Sequence, residues 1–408
     1  MIEQHSIPQE LGADGTPTDI EKEIEAPYPF DAEKISISNI PVPAETLIRR
    51  LKQQTIRSPL IQRGAGIWGD EQQSRLIESL LLKIPLPMFY VAADDDEIWF
   101  VVDGLQRVTA IRRYVIDQEF ALSGLEFLGK EYNGLKFEKL PQKMRNRILE
   151  SQFTFAVINP STPPNVQRNV FKRLNTGGLP LTPQEIRHAL YYGPSAVLLE
   201  ELAHSNAFEL ATDYRVDDSR MGARELVLRF LAFLIRGIDA YPRNEDMDAF
   251  LSETMQLINI MPDLPDTTVR RIFGDDHSVN LNLRYKQISD IKQKFNIAMH
   301  RAHELFGAHA FRKSTPLAGY RTPVNKSLFE CWAFVIAEMT KEEFDALVAK
   351  KKQLYKVFSE KINTYNSAFE RSISRDSHKL NGVKTRYASL KEIISSVINE
   401  GESNDKET

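Results

Sequence analysis

Asp103, Gly104, Leu105, Gln106 and Arg107 place an acid, a glycine, an amide and a guanidinium within five residues. The free backbone N–H groups of a helix start attract anions, a glycine there lets a ligand come close, and an arginine one turn in can grip a phosphate with two parallel hydrogen bonds. A carboxylate beside phosphate needs a cation or a proton between them, so Asp103 reads as a magnesium ligand or as a base toward water. The same letters also suit an aspartate that caps a helix and an arginine solvated on its surface.

The flanking residues decide where these groups stand. Glu97 to Val102 reads EIWFVV, aromatic and β-branched, and Val108 to Tyr114 reads VTAIRRY, with Val108, Ile111 and Val115 on one helical face. A strand therefore ends at the acid and a helix begins at the glycine. Around this turn the pattern predicts helices over Pro43 to Gln54 and Asp70 to Lys83, and strands over Met88 to Ala92, Ile98 to Val102 and Gln152 to Ile158. Asp94 to Glu97 reads as a hairpin turn. Pro163 to Leu174 reads as a helix that ends in a turn over Asn175 to Gly178, and Thr182 opens another with Pro183 at its first position and Glu185 three residues on, a capping box.

DGLQR resembles the DGQQR motif of the bacterial family that forms the N-terminal half of GmrSD-type restriction enzymes and of the phosphorothioate-dependent SspE defence proteins. Three more blocks of that pattern stand in order: IQRGAGIW at Ile61 to Trp68, LIESLLLKIPLPMFYV at Leu76 to Val91, and FKRLNTGGLPLTPQEIRHAL at Phe171 to Leu190. The resemblance covers roughly Pro41 to Tyr192 and implies a ParB/sulfiredoxin-like α+β fold embracing a nucleotide. It implies that Gly104 and Arg107 meet phosphates, that Asp103 and Gln106 orient metal or water, and that Asn175 and Glu185 close the other side. Arg63, before the GAGIW loop, offers a second anion contact, and Gly177 with Gly178 would add backbone donors. The chain departs from the family at Leu105, where glutamine is usual; if that glutamine positions water, hydrolysis is weakened here.

A chain of 408 residues is too long for one ordinary core. Residues 1–33 hold nine acids against Lys22 alone, which reads as a flexible acidic tail; 34–192 is the α+β domain, 193–400 an all-α domain, and 401–408 a second disordered tail. Within the all-α domain the pattern predicts helices over Ala223 to Ile235, Met247 to Ile260, Leu281 to Phe306, Val324 to Glu338, Lys341 to Ala368 and Ser389 to Asn399. A net charge of −4 argues against whole-chain attraction to DNA. A lone Cys331 in an apolar helix, no apolar run of membrane length and no signal pattern at the N-terminus point to a reducing cytoplasm. Between Lys341 and Lys391 twelve bases face six acids, with Tyr355, Phe358, Tyr365, Phe369 and Tyr387 interleaved; this suits a DNA contact, or equally a helix with an aromatic core stripe and a solvated basic back.

Several motifs mislead. Gly124 to Lys130 fits GxxxxGK, but Glu131 stands where a P-loop needs Ser or Thr and no helix pattern starts at Lys130. His300, His303 and His309 lack the acid or cysteine spacing of a zinc site. After Gly193 there is no HNH-like constellation of the kind that many relatives carry, so the effector nuclease or ATPase would be a separate partner. The reading that results is a nucleoside triphosphate-binding and hydrolysing sensor of a DNA-targeting defence system, with Mg²⁺ as cofactor. A non-hydrolytic ParB-like switch that changes self-association or DNA clamping is the alternative, and a nuclease acting through the same pocket is the third.

Overall fold

The computed structural model describes residues 36–57, 68–94, 97–162, 166–167, 170, 181–273 and 282–399, and the chain divides into two units between Tyr192 and Gly193. In the first unit β1 (Ile37–Pro43), β2 (Ile56–Arg57), β3 (Phe89–Ala93), β4 (Trp99–Asp103) and β5 (Gln152–Ile158) form a mixed sheet in the order β1-β5-β3-β4-β2. β3 and β4 are an antiparallel hairpin, β3 lies parallel to β5 with Phe89 opposite Phe155, and β1 runs antiparallel to β5. Asp94 closes the hairpin as the acidic run suggests, its carboxylate accepting from Ile98 N–H at 2.8 Å; Asp95 and Asp96 lie outside the described residues.

Alternation sorts the strand residues onto two faces. Phe89, Val91, Trp99, Val101, Phe153 and Phe155 join a core with α1 (Ala44–Lys52), α2 (Asp70–Leu81) and α3 (Leu105–Ile111). Ala92, Val102 and Ile158 face the other way, against Ile186 of α6 (Pro183–Leu190). Between α3 and α6 along the chain come α4 (Gly129–Tyr132) and α5 (Gln142–Leu149), whose Ile148 joins the first core. The sequence reading has no strand at β1, because Pro41 and Pro43 break the pattern; an edge strand tolerates them, since one side of its backbone has no ladder to join.

The second unit is all helix apart from one isolated bridge, Arg312 to Val324, among the described residues. Its centre is two almost wholly buried helices, α9 (Gly222–Arg236) and α13 (Lys326–Glu338). Glu330 of α13 is fully buried and accepts from Arg229 Nε at 2.9 Å and from Arg386 Nη2. That partnership explains one difference from the sequence reading. The last helix, α17, spans Leu380–Asn399 and not only Ser389 to Asn399, since the charge of Arg386 interrupts an apolar stripe that in fact continues through Val383 and Tyr387. The stretch from Lys341 to Ala368 is also broken, into α14 (Lys341–Ala349) and α15 (Lys351–Asn363), with α16 (Ala368–Ser372) after a turn in which Asn366 has a φ of +57°. The long helix expected from Leu281 begins only at Ile288, as α12 (Ile288–Phe306). No described helix is long and apolar enough to cross a membrane.

Candidate functional site

β4 carries Asp103 to the end of the hairpin, where the chain must reverse into α3 within one residue. Gly104 makes that possible with a φ of +93°, in the left-handed region. Space demands glycine as well: a Cβ there would stand 2.5 Å from Phe89 Cδ1 and 3.1 Å from Arg107 Nη2. The first helical hydrogen bond runs from Val108 N–H to the Gly104 carbonyl at 2.9 Å, so the N–H groups before it have no partner within the helix.

Arg107 does not project into solvent. Its guanidinium lies over the Phe89 ring, 4.4 Å from the centroid, and donates to the carbonyls of Pro87 and Met88, the latter at 3.2 Å. Its Nη2 also pairs with Asp103 Oδ2 at 3.0 Å, one helical turn back. Burial pulls the guanidinium below its ordinary pKa and the Asp103 carboxylate opposes that shift. The Asp103 side chain remains 37% exposed against 11% for Arg107, so the carboxylate is the part of this pair that meets solvent.

Gln106 points to a third element. Its Oε1 accepts from Trp68 N–H at 2.9 Å, and from the opposite side Gln73 of α2, fully buried, donates to the Trp68 carbonyl at 2.5 Å. Trp68 is thereby clamped at both ends of its backbone and its ring packs on the first core, an anchor as its sequence context suggests. Sequence reading missed Gln73; the available signal was an amide on the buried face of an amphipathic helix, beside Leu76, Ile77 and Leu80.

Glu185 is a capping residue: its carboxylate accepts from Thr182 N–H at 2.6 Å while its own N–H donates to Thr182 Oγ1 at 3.2 Å. It is buried with Gln184, Arg187 and His188, so α6 turns a polar face inward, which the letters alone did not reveal. Arg63, Asn175, Gly177 and Gly178 lie outside the described residues. The turn therefore brings together Asp103, Gly104 and Arg107, while the Gln106 side chain turns to Trp68.

The false P-loop has a physical resolution. The backbone N–H groups of Glu126, Phe127 and Leu128 do converge on an anion, but it is the Glu78 carboxylate, at 3.0, 2.8 and 2.8 Å. Burial pushes that carboxyl up, yet the three N–H donors and Arg75 outweigh it and hold its pKa below the ordinary value. Among the described residues no three His, Cys, Asp or Glu form a group able to hold a metal ion, and His309 bonds Ser314 Oγ instead. Burial raises the Cys331 thiol far above its usual pKa. Of the aromatics between Lys341 and Lys391, Tyr355, Phe358, Phe369 and Tyr387 are core residues and only Tyr365 is exposed, at 87%. The aromatic half of the DNA-binding pattern is thus the core stripe of these helices. Lys351, Lys352, Lys356, Lys384 and Lys391 remain at the surface, whereas Arg386 is buried.

Residues 44–192 match the family model described as GmrSD restriction endonuclease, N-terminal domain. No curated protein and no solved structure matches the chain.

Proposed function

We propose, from the premise that residues 44–192 are a GmrSD-type N-terminal domain, that this chain is the nucleotide-sensing member of a restriction-like, DNA-targeting bacterial defence system. Its ligand is a nucleoside triphosphate, seated at the Asp103 to Arg107 turn of a ParB/sulfiredoxin-like domain. The observation that carries this reading is the partly exposed Asp103 carboxylate, paired with a buried arginine beside the N–H groups of a helix start. Phosphate oxygens would accept from those N–H groups. They would also compete with Asp103 for Arg107 Nη2, exchanging an internal ion pair for a phosphate contact and freeing the carboxylate toward water.

One carboxylate is a sparse metal site, but Mg²⁺ usually arrives with its own waters and the phosphates and needs only one or two protein ligands, so Asp103 fits that part. The ion would neutralise phosphate charge there. Gln106 and Gln73 act by holding Trp68, the last residue of the segment that bears Arg63. Arg63, Asn175, Gly177 and Gly178 complete the nucleotide contacts in this proposal, and Glu185 fixes the Thr182 end of the second loop. The surface lysines of 341–391 would meet a DNA backbone, and a separate effector would do the cutting.

A second reading, binding without hydrolysis, is favoured by Leu105, whose side chain packs on the core where a glutamine could have faced the ligand. A nuclease at this turn would need further carboxylates around Asp103, and the described residues offer it no support. Phosphate release from ATP, GTP and CTP, with and without DNA, tests the reading on wild type and Asp103→Ala. Release that Asp103→Ala abolishes is the expected result; equal release from both proteins would remove Asp103 from the mechanism. Binding without any release would select the switch.

A further inference from the structure

Both Nη atoms of Arg107 already have acceptors. Nη1 donates to the Pro87 carbonyl, and Nη2 divides its two N–H bonds between the Met88 carbonyl at 3.2 Å and Asp103 Oδ2 at 3.0 Å. The Phe89 ring covers one face of the guanidinium, and that ring is itself fully buried in the core at the start of β3. The Asp103 carboxylate differs from these neighbours because its side chain reaches solvent. It is therefore the acceptor that an arriving phosphate can displace. Among the described residues Asp103 is also the one charged group that offsets the burial of Arg107.

A phosphate offered to Nη2 meets two obstacles at once. It must take an N–H that the carboxylate holds, and it must then sit beside a charge of its own sign in a partly dry place, where like charges repel strongly. A divalent cation on Asp103 removes both, since it neutralises the carboxylate and draws its oxygens away from Nη2. We propose that Asp103 is an internal competitor of phosphate for Arg107, so that a divalent cation on this carboxylate and a triphosphate on this guanidinium strengthen each other's binding. The inference rests on the triphosphate reading above and adds the regulation of that site. A carboxylate that served only to hold the metal would leave metal-free phosphate binding unaffected. Coupling of this kind is reciprocal, each ligand raising the affinity of the other by one factor, typically about 5–150-fold.

Isothermal titration of inorganic tripolyphosphate, a probe with no nucleobase, tests this on the full chain in EDTA and in excess Mg²⁺. Asp103→Asn keeps the size of the side chain and an oxygen to accept from Arg107, but it removes the charge. In EDTA, Asp103→Asn should bind the probe at least about tenfold more tightly than wild type does. Mg²⁺ should tighten binding to wild type by at least about tenfold and should not tighten binding to Asp103→Asn. Equal metal-free affinity in the two proteins, or the same gain from Mg²⁺ in both, would overturn the competition while leaving triphosphate binding in place. Absence of binding to both proteins in both buffers would overturn the triphosphate reading and the competition with it. If Asp103→Asn fails to fold, wild type decides alone, and tripolyphosphate that binds it no more tightly in Mg²⁺ than in EDTA overturns the proposal.

Discussion

Replacing Gly104 by alanine strikes the turn with the least scope for relaxation. A non-glycine residue in the left-handed region costs about 1–2 kcal/mol. The new Cβ would also meet Phe89 Cδ1 at 2.5 Å, and Phe89 cannot retreat: it is fully buried, with ring centroids 4.9 Å from Phe155 and 5.4 Å from Phe153. Forcing such a core to make room costs about 1–3 kcal/mol more. The sum is about 2–5 kcal/mol, which at a urea slope near 2 kcal/mol/M lowers the midpoint by about 1–2.5 M. Trp68 and Trp99 report on this unit and Trp332 on the other, so fluorescence-detected unfolding reads both. The transition of the first unit should move. A Gly104→Ala protein whose midpoint coincides with wild type would refute the account of this turn, because neither the left-handed backbone nor the contact with Phe89 could then exist.

Glu330→Ala should destabilise the second unit by about 3–5 kcal/mol in the same urea experiment, because it leaves two buried arginines, Arg229 and Arg386, without their shared partner. Glu78 has a folded pKa below its ordinary value, so its contribution is complete above an unfolded pKa of about 4.3 and is lost as pH falls through the folded value. Hydrogen exchange at the 126–128 amides, corrected for intrinsic rates, should therefore lose protection in that acid window in wild type, while Glu78→Gln lacks the pH step. If the surface lysines of the C-terminal helices bind DNA, contacts from five of them give a log–log salt slope near about −4 to −5, and reversing Lys351, Lys352 and Lys356 to Glu should flatten it by about 3. Filter binding with an unchanged slope would dismiss that face.

The strand, turn and helix around Gly104 were legible because each carries its own period and the breaker between them is glycine. The capping box at Thr182 and Glu185 was legible because it is local, three residues apart. What stayed hidden depends on partners far along the chain. Glu78 and the 126–128 backbone are about fifty residues apart, and Glu330 with Arg229 and Arg386 about a hundred and about fifty-six, so no window of sequence could pair them. Arg107 shows the same limit within the site. Its place one turn into a helix suggested a hand reaching outward, but Phe89 and the carbonyls of Pro87 and Met88, set beside it by the β3 to β4 hairpin, draw it inward.

Nucleotide binding at the turn is measured most directly by isothermal titration of ATP, GTP and CTP into wild type and Arg107→Lys. Lysine keeps the charge but loses the fork, so it separates phosphate recognition from simple attraction. The account predicts that at least one triphosphate binds wild type and that Arg107→Lys, titrated at a temperature where its melting curve shows it folded, binds it about tenfold or more weakly, the loss of roughly 1.5 kcal/mol or more that one charge-assisted hydrogen bond represents. Failure of all three nucleotides to bind wild type, or equal affinity in the variant, would contradict it.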